Sequence, residues 1–584
     1  MKKIINDPNT FVREMCYGLL PTNPALEFDS KFKIVKRRNI NPDKVTLISG
    51  GGSGHEPAHA GFVGIGLLDA AVCGDIFASP SQVQVYNALK QVKSSKGTLM
   101  IIKNYSGDMM NFKNAAYMAA EEGIAVDYVK VDDDIAVNDS LYTVGKRGVA
   151  GTIFVHKIAG AAAEEGKSLA EVKALAQRVV DNTRSIGFAL TSCTVPAKGT
   201  PTFAIAEDEM EYGVGIHGEP GVSREKIRSA DELAAKMVRS LAEALDLKPD
   251  DEIALMINGF GGTPLQELYV FNHSVIKVLD ATVGAKLYRS FAGNYMTSID
   301  MAGASVTILR LDAELKKYLD APCTSSALNV NGAQCPPRRE YAQQEVTQAI
   351  SYADRTDKAW SKVSGNVLTT ENMMRMVDRM STFIIENEVP FCELDSHAGD
   401  GDFGESIAKG FRCVKQEWDR LKTYDREIGE FLMETAMVLM ENCGGASGPI
   451  WGSAFRAAGI YAAGKTSLNA AEFAQLLQAA VKGIQSTGER SFGRGAVVGD
   501  KTLIDALVPC ADKWSAHDTD DIIAALYSGA EAARRGAEKT KDIVARMGRA
   551  GTVGERSLGY PDAGAYALGE IFAEIARDFD VRKA

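Results

Sequence analysis

Two of the seven histidines in this chain stand inside glycine clusters, His55 in Gly50-Gly51-Gly52-Ser53-Gly54-His55-Glu56-Pro57 and His217 in Gly213-Val214-Gly215-Ile216-His217-Gly218-Glu219-Pro220. Packing on an apolar face does not explain a histidine in such a loop, and an imidazole with an ordinary pKa near 6.5 can serve as base or nucleophile at neutral pH. Lys103 and Asp108 in Ile-Ile-Lys-Asn-Tyr-Ser-Gly-Asp add a cation and a carboxylate. Together the four side chains could bind a small polyol and deprotonate one of its hydroxyls. A second constellation lies downstream: Asp395, Asp400 and Asp402 fall within eight residues, with Gly399 and Gly401 able to curl the loop. Clustered hard oxygen ligands suit Mg²⁺ with phosphate as co-ligand rather than zinc. Gly444-Gly445-Ala446-Ser447-Gly448-Pro449 precedes a predicted helix, where backbone N–H groups can approach phosphate oxygens. With the loops at 499–502 and 549–554, the pattern is a metal–nucleotide site on helix ends.

Three familiar motifs lack the context their chemistry needs. His55-Glu-Pro-Ala-His59 has zinc-peptidase spacing, but it follows five Gly/Ser residues and contains Pro57, so His55 is predicted in a loop or at a cap. Gly213-Val-Gly-Ile-His-Gly218 follows the acidic run Glu-Asp-Glu-Met-Glu-Tyr rather than a predicted strand, and no helix follows. Near Gly499-Asp500-Lys501-Thr502 an aspartate separates glycine from lysine, so a phosphate-cradling P-loop is not reproduced. Asp132-Asp133-Asp134 lacks curling glycines and reads as a solvated strand end.

The elements that must carry these residues follow from periodicity. From Lys44 to about Asp134 short apolar runs (VTLIS, AAVCG, TLMIIK, AVDYVKV) end in polar or glycine clusters, predicting buried strands of a parallel or mixed α/β sheet with ligands at the strand carboxyl ends. A second α/β stretch runs to about Leu311, with a helix near 151–166 and strands at IGFALTSC, EIALMING and SVTILRL. Residues 320–366 read as linker with a short helical piece around 342–353, and everything beyond Thr369 shows helical spacing. The fold class is a multidomain chain, an α/β region of two subdomains followed by an all-α domain. The boundaries are 1–335 (subdomains about 1–185 and 186–335), a linker at 336–366, and 367–584.

Composition narrows the function. The 584 residues are 45% hydrophobic and 24% charged with net charge −11, a globular chain without the basic surface that nucleic acid or anionic membrane requires. Nine scattered cysteines without a CxxC give no disulfide framework or structural zinc, and no apolar run approaches the ~18 residues of a membrane span. The expectation is a cytoplasmic protein. Its 55 glycines against 18 prolines imply many close backbone approaches.

At these residues the sequence resembles the dihydroxyacetone kinase family, in the single-chain form that fuses a ketose-binding K domain to a nucleotide-binding L domain. The motifs are LISGGGSGHEPAH, CGDIFASP, IIKNYSGD, GVGIHGEPG and MAGASVTILRLD, then LDSHAGDGDFG, GGASGPIWG, GDKTLIDAL and GRAGTVGERSLG. The resemblance implies that His217 bonds the substrate ketone as a hemiaminal and that His55 is the general base. Asp108 is implied as a further catalytic group, and Gly52, Ser53, Gly54, His55, Lys103 and Asp108 as contacts for the substrate hydroxyls. It implies that Asp395, Asp400 and Asp402 hold two Mg²⁺ ions, and that Phe403, Gly404, Glu405, Ser406, Ala446, Ser447, Leu503, Arg549, Asp562 and Gly564 line the nucleotide. Phe403, Tyr560 and Ala563 depart from the family pattern, all on the nucleotide side. The implied activity is transfer from ATP to a terminal hydroxyl of a short ketose: dihydroxyacetone first, erythrulose or apulose as alternatives. A non-catalytic ketose-binding regulator is disfavoured, because both histidines and all three aspartates are present. The implied assembly is a homodimer in which K and L domains can pair between chains.

Overall fold

The computed structural model describes residues 2–137, 145–333, 352–517, 521–547 and 554–580. Contacts divide the chain into Met1–Gln343 and Gln344–Ala584. The helical piece expected around 342–353 falls almost wholly outside the described residues.

The first unit holds two six-stranded sheets. In the first, β1 (Leu26–Asp29), β2 (Ile34–Arg37), β3 (Thr46–Ser53), β4 (Ala70–Ile76), β5 (Thr98–Lys103) and β6 (Val126–Val131) are ordered β1-β2-β4-β3-β5-β6. β4, β3, β5 and β6 run parallel, and β1 and β2 add antiparallel at one edge. The central strands read as unbroken apolar runs because both faces are covered. Leu47, Leu99 and Ile101 enter one apolar cluster, while Ile48, Met100 and Ile102 enter another. In the second sheet β7 (Thr183–Ala189), β8 (Glu209–Tyr212), β9 (Ser223–Lys226), β10 (Glu252–Gly259), β11 (Lys286–Gly293) and β12 (Gly303–Leu311) are ordered β11-β10-β12-β7-β8-β9. Only the β10–β11 pair is parallel. Ala254 and Met256 of β10 share the cluster of Leu47 and Leu99, and Ile253, Leu255 and Ile257 face a separate one. One core therefore spans both sheets, and each fully buried Leu or Ile contributes roughly 1.5–3 kcal/mol to it.

Two sequence expectations are corrected here. Glu209–Tyr212 is a strand despite its charge, because it pairs with β7 and β9, and Arg224, which faces it from β9, bonds Glu211 at 2.7 Å. No helix follows, so the glycine motif after it remains unlike a dinucleotide loop. The run 132–134 is not a solvated strand end: Asp133 and Asp134 are 0% and 1% exposed. Asp133 accepts the Val149 and Gly151 N–H groups at 2.8 Å each, and Asp134 pairs with buried Arg147 at 2.7 Å.

The second unit is helical. Its longer helices are Thr370–Glu386, Phe403–Gln416, Ile428–Asn442, Ser447–Tyr461, Ala470–Phe492, Ile504–Ser515, Ile522–Lys539 and Ala563–Phe579. Most pack on their chain neighbours, and Ala563–Phe579 packs back on Thr370–Glu386, which closes the ring. Capping boxes at Thr369/Asn372 and Asn469/Glu472 fix two of the starts. Among the described residues no helix is long and apolar enough to cross a membrane.

Candidate functional site

In the first unit the carboxyl ends of β3 and β5 deliver their residues to one place. β3 ends at Ser53, and the chain turns through His55 to His59 without forming a helix. The two histidines of the zinc-like spacing face different partners. His55 bonds His217 and the Thr297 carbonyl, whereas His59 bonds His156. Glycine is required in this turn: a Cβ at Gly52 would lie 2.7 Å from the Phe77 carbonyl carbon, and one at Gly54 2.9 Å from the Phe77 ring. A Cβ at Gly51 would lie 3.3 Å from Asp108 Oδ2 and 3.5 Å from Lys103 Nζ, so the glycine loop runs directly over those two groups.

His55 is fully buried. Its Nδ1 is 2.8 Å from the Thr297 carbonyl, which only an N–H can satisfy, so the proton sits on Nδ1 and Nε2 carries the lone pair. That lone pair meets His217 Nε2 at 3.2 Å with the rings perpendicular. His217, on the loop after β8, is walled by Phe77 and by Tyr105, whose ring centroid is 4.4 Å away. Lys103 is completely buried at the end of β5, and its Nζ has no hydrogen-bond partner among the described residues. Asp108, in the first turn of the helix Ser106–Glu121, accepts the Ser79 hydroxyl. The Ser53 hydroxyl donates to the Gly74 carbonyl at 2.8 Å, which leaves it an acceptor toward a ligand.

Burial, then the charge of Lys103, hold both imidazoles well below pKa 6.5, and burial raises the Asp108 carboxyl. Beneath them His59 and His156 form a second buried pair at 3.0 Å, and burial lowers both, His156 to about 3. Neutral imidazole is the reactive form, so the acid limb of kcat/KM for the ligand of this site is expected below pH 6.5. An inflection at or above 6.5 contradicts it. The folded pKa values lie below the unfolded one, so lowering the pH through 6.5 protonates only the unfolded chain, and thermal stability falls in the same window.

In the second unit Asp395 ends the helix Glu388–Asp395, where sequence reading placed a loop, and the turn that follows wraps back over it. Its Oδ2 accepts the Gly401 and Phe403 N–H groups at 2.9 and 3.4 Å, and a Cβ at Gly399 would touch Oδ1 at 2.2 Å. One oxygen from each of Asp395, Asp400 and Asp402 lies within 4.8 Å of the others. Burial raises the Asp395 carboxyl, and Asp400 and Asp402 add to the rise. Three converging carboxylates that repel one another are a donor set suited to a divalent cation.

They border an open cavity of about 200 Å³ whose wall includes Phe403, Ser406, Ala446, Ser447, Leu503, Asp562 and Gly564. Ala446 and Ser447 sit at the start of the helix Ser447–Tyr461, and Asp562 caps Ala563–Phe579 through the Ala565 N–H. Burial pushes the Asp562 carboxyl up to about 7. Two expected residues are not in this wall. Gly404 lets the helix backbone approach the Glu388 carbonyl, where a Cβ would sit at 2.0 Å, and Glu405 is exposed. Arg549 lies outside the described residues.

Several wall residues had no sequence signal. Ile450, Trp451 and Met547 supply an apolar surface. Lys501, in the 499–502 loop expected at this site, holds its neighbouring loops together by donating to the carbonyls of Ile543, Ser557 and Tyr560. Lys501 is thus an internal tie and not a phosphate lysine. Tyr560 stacks on His397 with centroids 3.8 Å apart.

The Dak1 domain family matches residues 17–327 and the DAK2 domain family residues 397–577. A putative 3,4-dihydroxy-2-butanone kinase of Solanum lycopersicum is 36% identical over 98% of this chain and 98% of its own length. An L-erythrulose 1-kinase of Mycolicibacterium smegmatis is 34% identical over 98% of this chain and 99% of its own. The crystal structure of the dihydroxyacetone kinase from C. freundii in complex with AMP-PNP and Mg²⁺ aligns with TM-score 0.59 and 31% identity over 99% of both chains.

Proposed function

Because the chain belongs to the dihydroxyacetone kinase family, with both of its domains fused, we propose that it transfers a phosphoryl group from ATP to a terminal hydroxyl of a short ketose, dihydroxyacetone before longer ketoses. The observation that carries this reading is the buried contact between His55 Nε2 and His217 Nε2. With His55 protonated on Nδ1, the shared proton belongs to His217, and His55 is placed to accept it. His217 Nε2 then attacks the ketone carbon, the carbonyl π pair moves to oxygen, and the proton passes through His55 to that oxygen. The product is a neutral hemiaminal, and His55 is again free to accept the proton of the terminal hydroxyl during transfer. The buried ammonium of Lys103 and the carboxyl of Asp108 are donor and acceptor for the remaining hydroxyls.

Asp395, Asp400 and Asp402 are the residues that would hold Mg²⁺, two ions in our reading. When bound there, the metal would neutralise phosphate charge. The Ala446 N–H at the start of its helix would meet a phosphate oxygen, the Ser447 N–H being taken by the Gly444 carbonyl at 3.1 Å, and Ile450, Trp451, Leu503 and Met547 offer the base an apolar wall. Phe403 in this wall makes it narrower than a small polar residue would. The eight described cysteines are free thiols, which fits the cytoplasm.

The test is a panel of dihydroxyacetone, D- and L-erythrulose and apulose with Mg-ATP. The highest kcat/KM is expected for dihydroxyacetone. A tenfold preference for a tetrulose or apulose would reassign the substrate, and no transfer until a phosphotransferase protein is added would overturn ATP as donor. Homodimeric pairing of K and L domains between chains is tested by co-expressing His217→Ala with Asp400→Asn. Pairing between chains leaves roughly one site in four intact, and hence about a quarter of the activity; pairing within a chain restores none.

A further inference from the structure

We propose that Arg147 is a positioning residue for His217, its guanidinium locked between Asp134 and Glu219 so as to fix both ends of the loop that presents the imidazole. The inference rests on His217 being the residue that captures the ketone. The Arg147 side chain is 2% exposed and is held at all three nitrogens. Nε donates to Asp134 Oδ2 at 2.8 Å, Nη2 to the Gly213 carbonyl at 2.9 Å, and Nη1 to Glu219 Oε1 at 3.0 Å. The other oxygen of Glu219 accepts the backbone N–H of His217 itself at 2.9 Å. A continuous chain of charged hydrogen bonds thus runs from Asp134 through Arg147 and Glu219 to the peptide of the reactive residue.

Its geometry brackets the loop. Gly213, which enters it, is tied to Arg147 and also donates to the Gly187 carbonyl of β7 at 2.8 Å. Glu219, which leaves it, is tied to the same guanidinium. The pair fills the space beside Gly215, where a Cβ would lie 1.8 Å from Glu219 Oε1 and 2.6 Å from Arg147 Nη1. Asp134 is anchored in turn: its N–H donates to the Arg147 carbonyl at 3.0 Å, and its neighbour Ile135 donates to Ser185 of β7 at 2.9 Å.

A buried guanidinium needs its carboxylates, and a pair of this kind is weak evidence for stability alone. This one contacts the loop at Gly213 and Glu219 and, through Glu219, the His217 N–H, while Tyr105 holds the ring from its edge. The nearby positive charge also disfavours imidazolium at His217, in the same direction as burial and Lys103. Neither the glycine motif nor the aspartate run reveals this device singly; it exists only where 134, 147 and 219 meet.

The test measures the rate of adduct formation with dihydroxyacetone by native mass spectrometry, where a hemiaminal adds the whole mass of the ketose without loss of water. Arg147→Lys keeps the charge but cannot span Asp134, Gly213 and Glu219, and is expected to slow capture at least tenfold and raise the ketose KM, with the KM for ATP unchanged. Glu219→Ala, at a side chain 12% exposed, removes the acceptor for the His217 N–H without burying a new group, and is expected to match that loss. Glu219→Gln keeps one oxygen for the His217 N–H but turns its NH2 against Arg147 Nη1, and its capture rate is expected to fall between those of Glu219→Ala and wild type. Wild-type capture rates in folded Arg147→Lys or in Glu219→Ala overturn the clamp and leave the His217 reading intact. An adduct that never forms in the wild-type protein, or that persists in His217→Ala, overturns both.

Discussion

His217→Ala is expected to form no ketose adduct and to lower kcat/KM for the ketose by at least roughly 10³-fold, about 4 kcal/mol of transition-state stabilisation. The size follows from what the ring does. Its Nε2 carries a transferable proton that faces a neutral, proton-accepting imidazole, here at 3.2 Å. Alanine removes the nucleophile and leaves His55 facing a gap, so the ketose keeps only its hydroxyl contacts to Lys103, Asp108 and the backbone of the glycine loop. The nucleotide cavity belongs to the other unit, so Mg-nucleotide affinity is expected to be unchanged. Native mass spectrometry with dihydroxyacetone, beside nucleotide titration, checks both halves. A residual adduct on the variant would assign capture to another residue.

Much of this arrangement was legible in the residues, and the parts that were not share a cause. Glycine clusters mark His55, His217 and the Asp395–Asp402 turn because a close backbone approach excludes Cβ, and that exclusion is written into local sequence. Apolar runs marked the strands of the first sheet because its central members are covered on both faces. Glu209–Tyr212 was misread because its charges are answered by Arg224, fifteen to twelve residues later on a partner strand, and local charge carries no record of that pairing. Asp133 and Asp134 were misread for the same reason: their partners are the turn at 149–151 and Arg147. His59 and His156 lie 97 residues apart and meet only in the folded core. The carbonyl partners of Lys501, at 543, 557 and 560, likewise lie 42 to 59 residues away and leave no mark on its local sequence. Local steric demands are legible one segment at a time, whereas compensation between distant charges is legible only in the fold.

That distinction decides what the acidic cluster should do when it is cut. Asp395, Asp400 and Asp402 repel one another within 4.8 Å, and Asp395 is held in place by the Gly401 and Phe403 N–H groups. A cluster held for a metal carries its repulsion as a standing cost that binding relieves. Asp400→Asn removes one charge at nearly constant shape, so two effects of opposite sign are expected. Metal-free protein should be as stable as wild type or more so, since the raised Asp395 carboxyl loses one of its repelling neighbours. Mg-nucleotide affinity should fall by roughly 10²-fold or more, and with it the rise in melting temperature that Mg-AMP-PNP produces in the wild type. Ketose capture at His217 should continue at the wild-type rate. Thermal unfolding with and without Mg-AMP-PNP, beside the adduct measurement, separates these outcomes: a variant less stable without metal would make the cluster structural, and equal loss of capture and nucleotide binding would contradict the assignment of the two sites to two units.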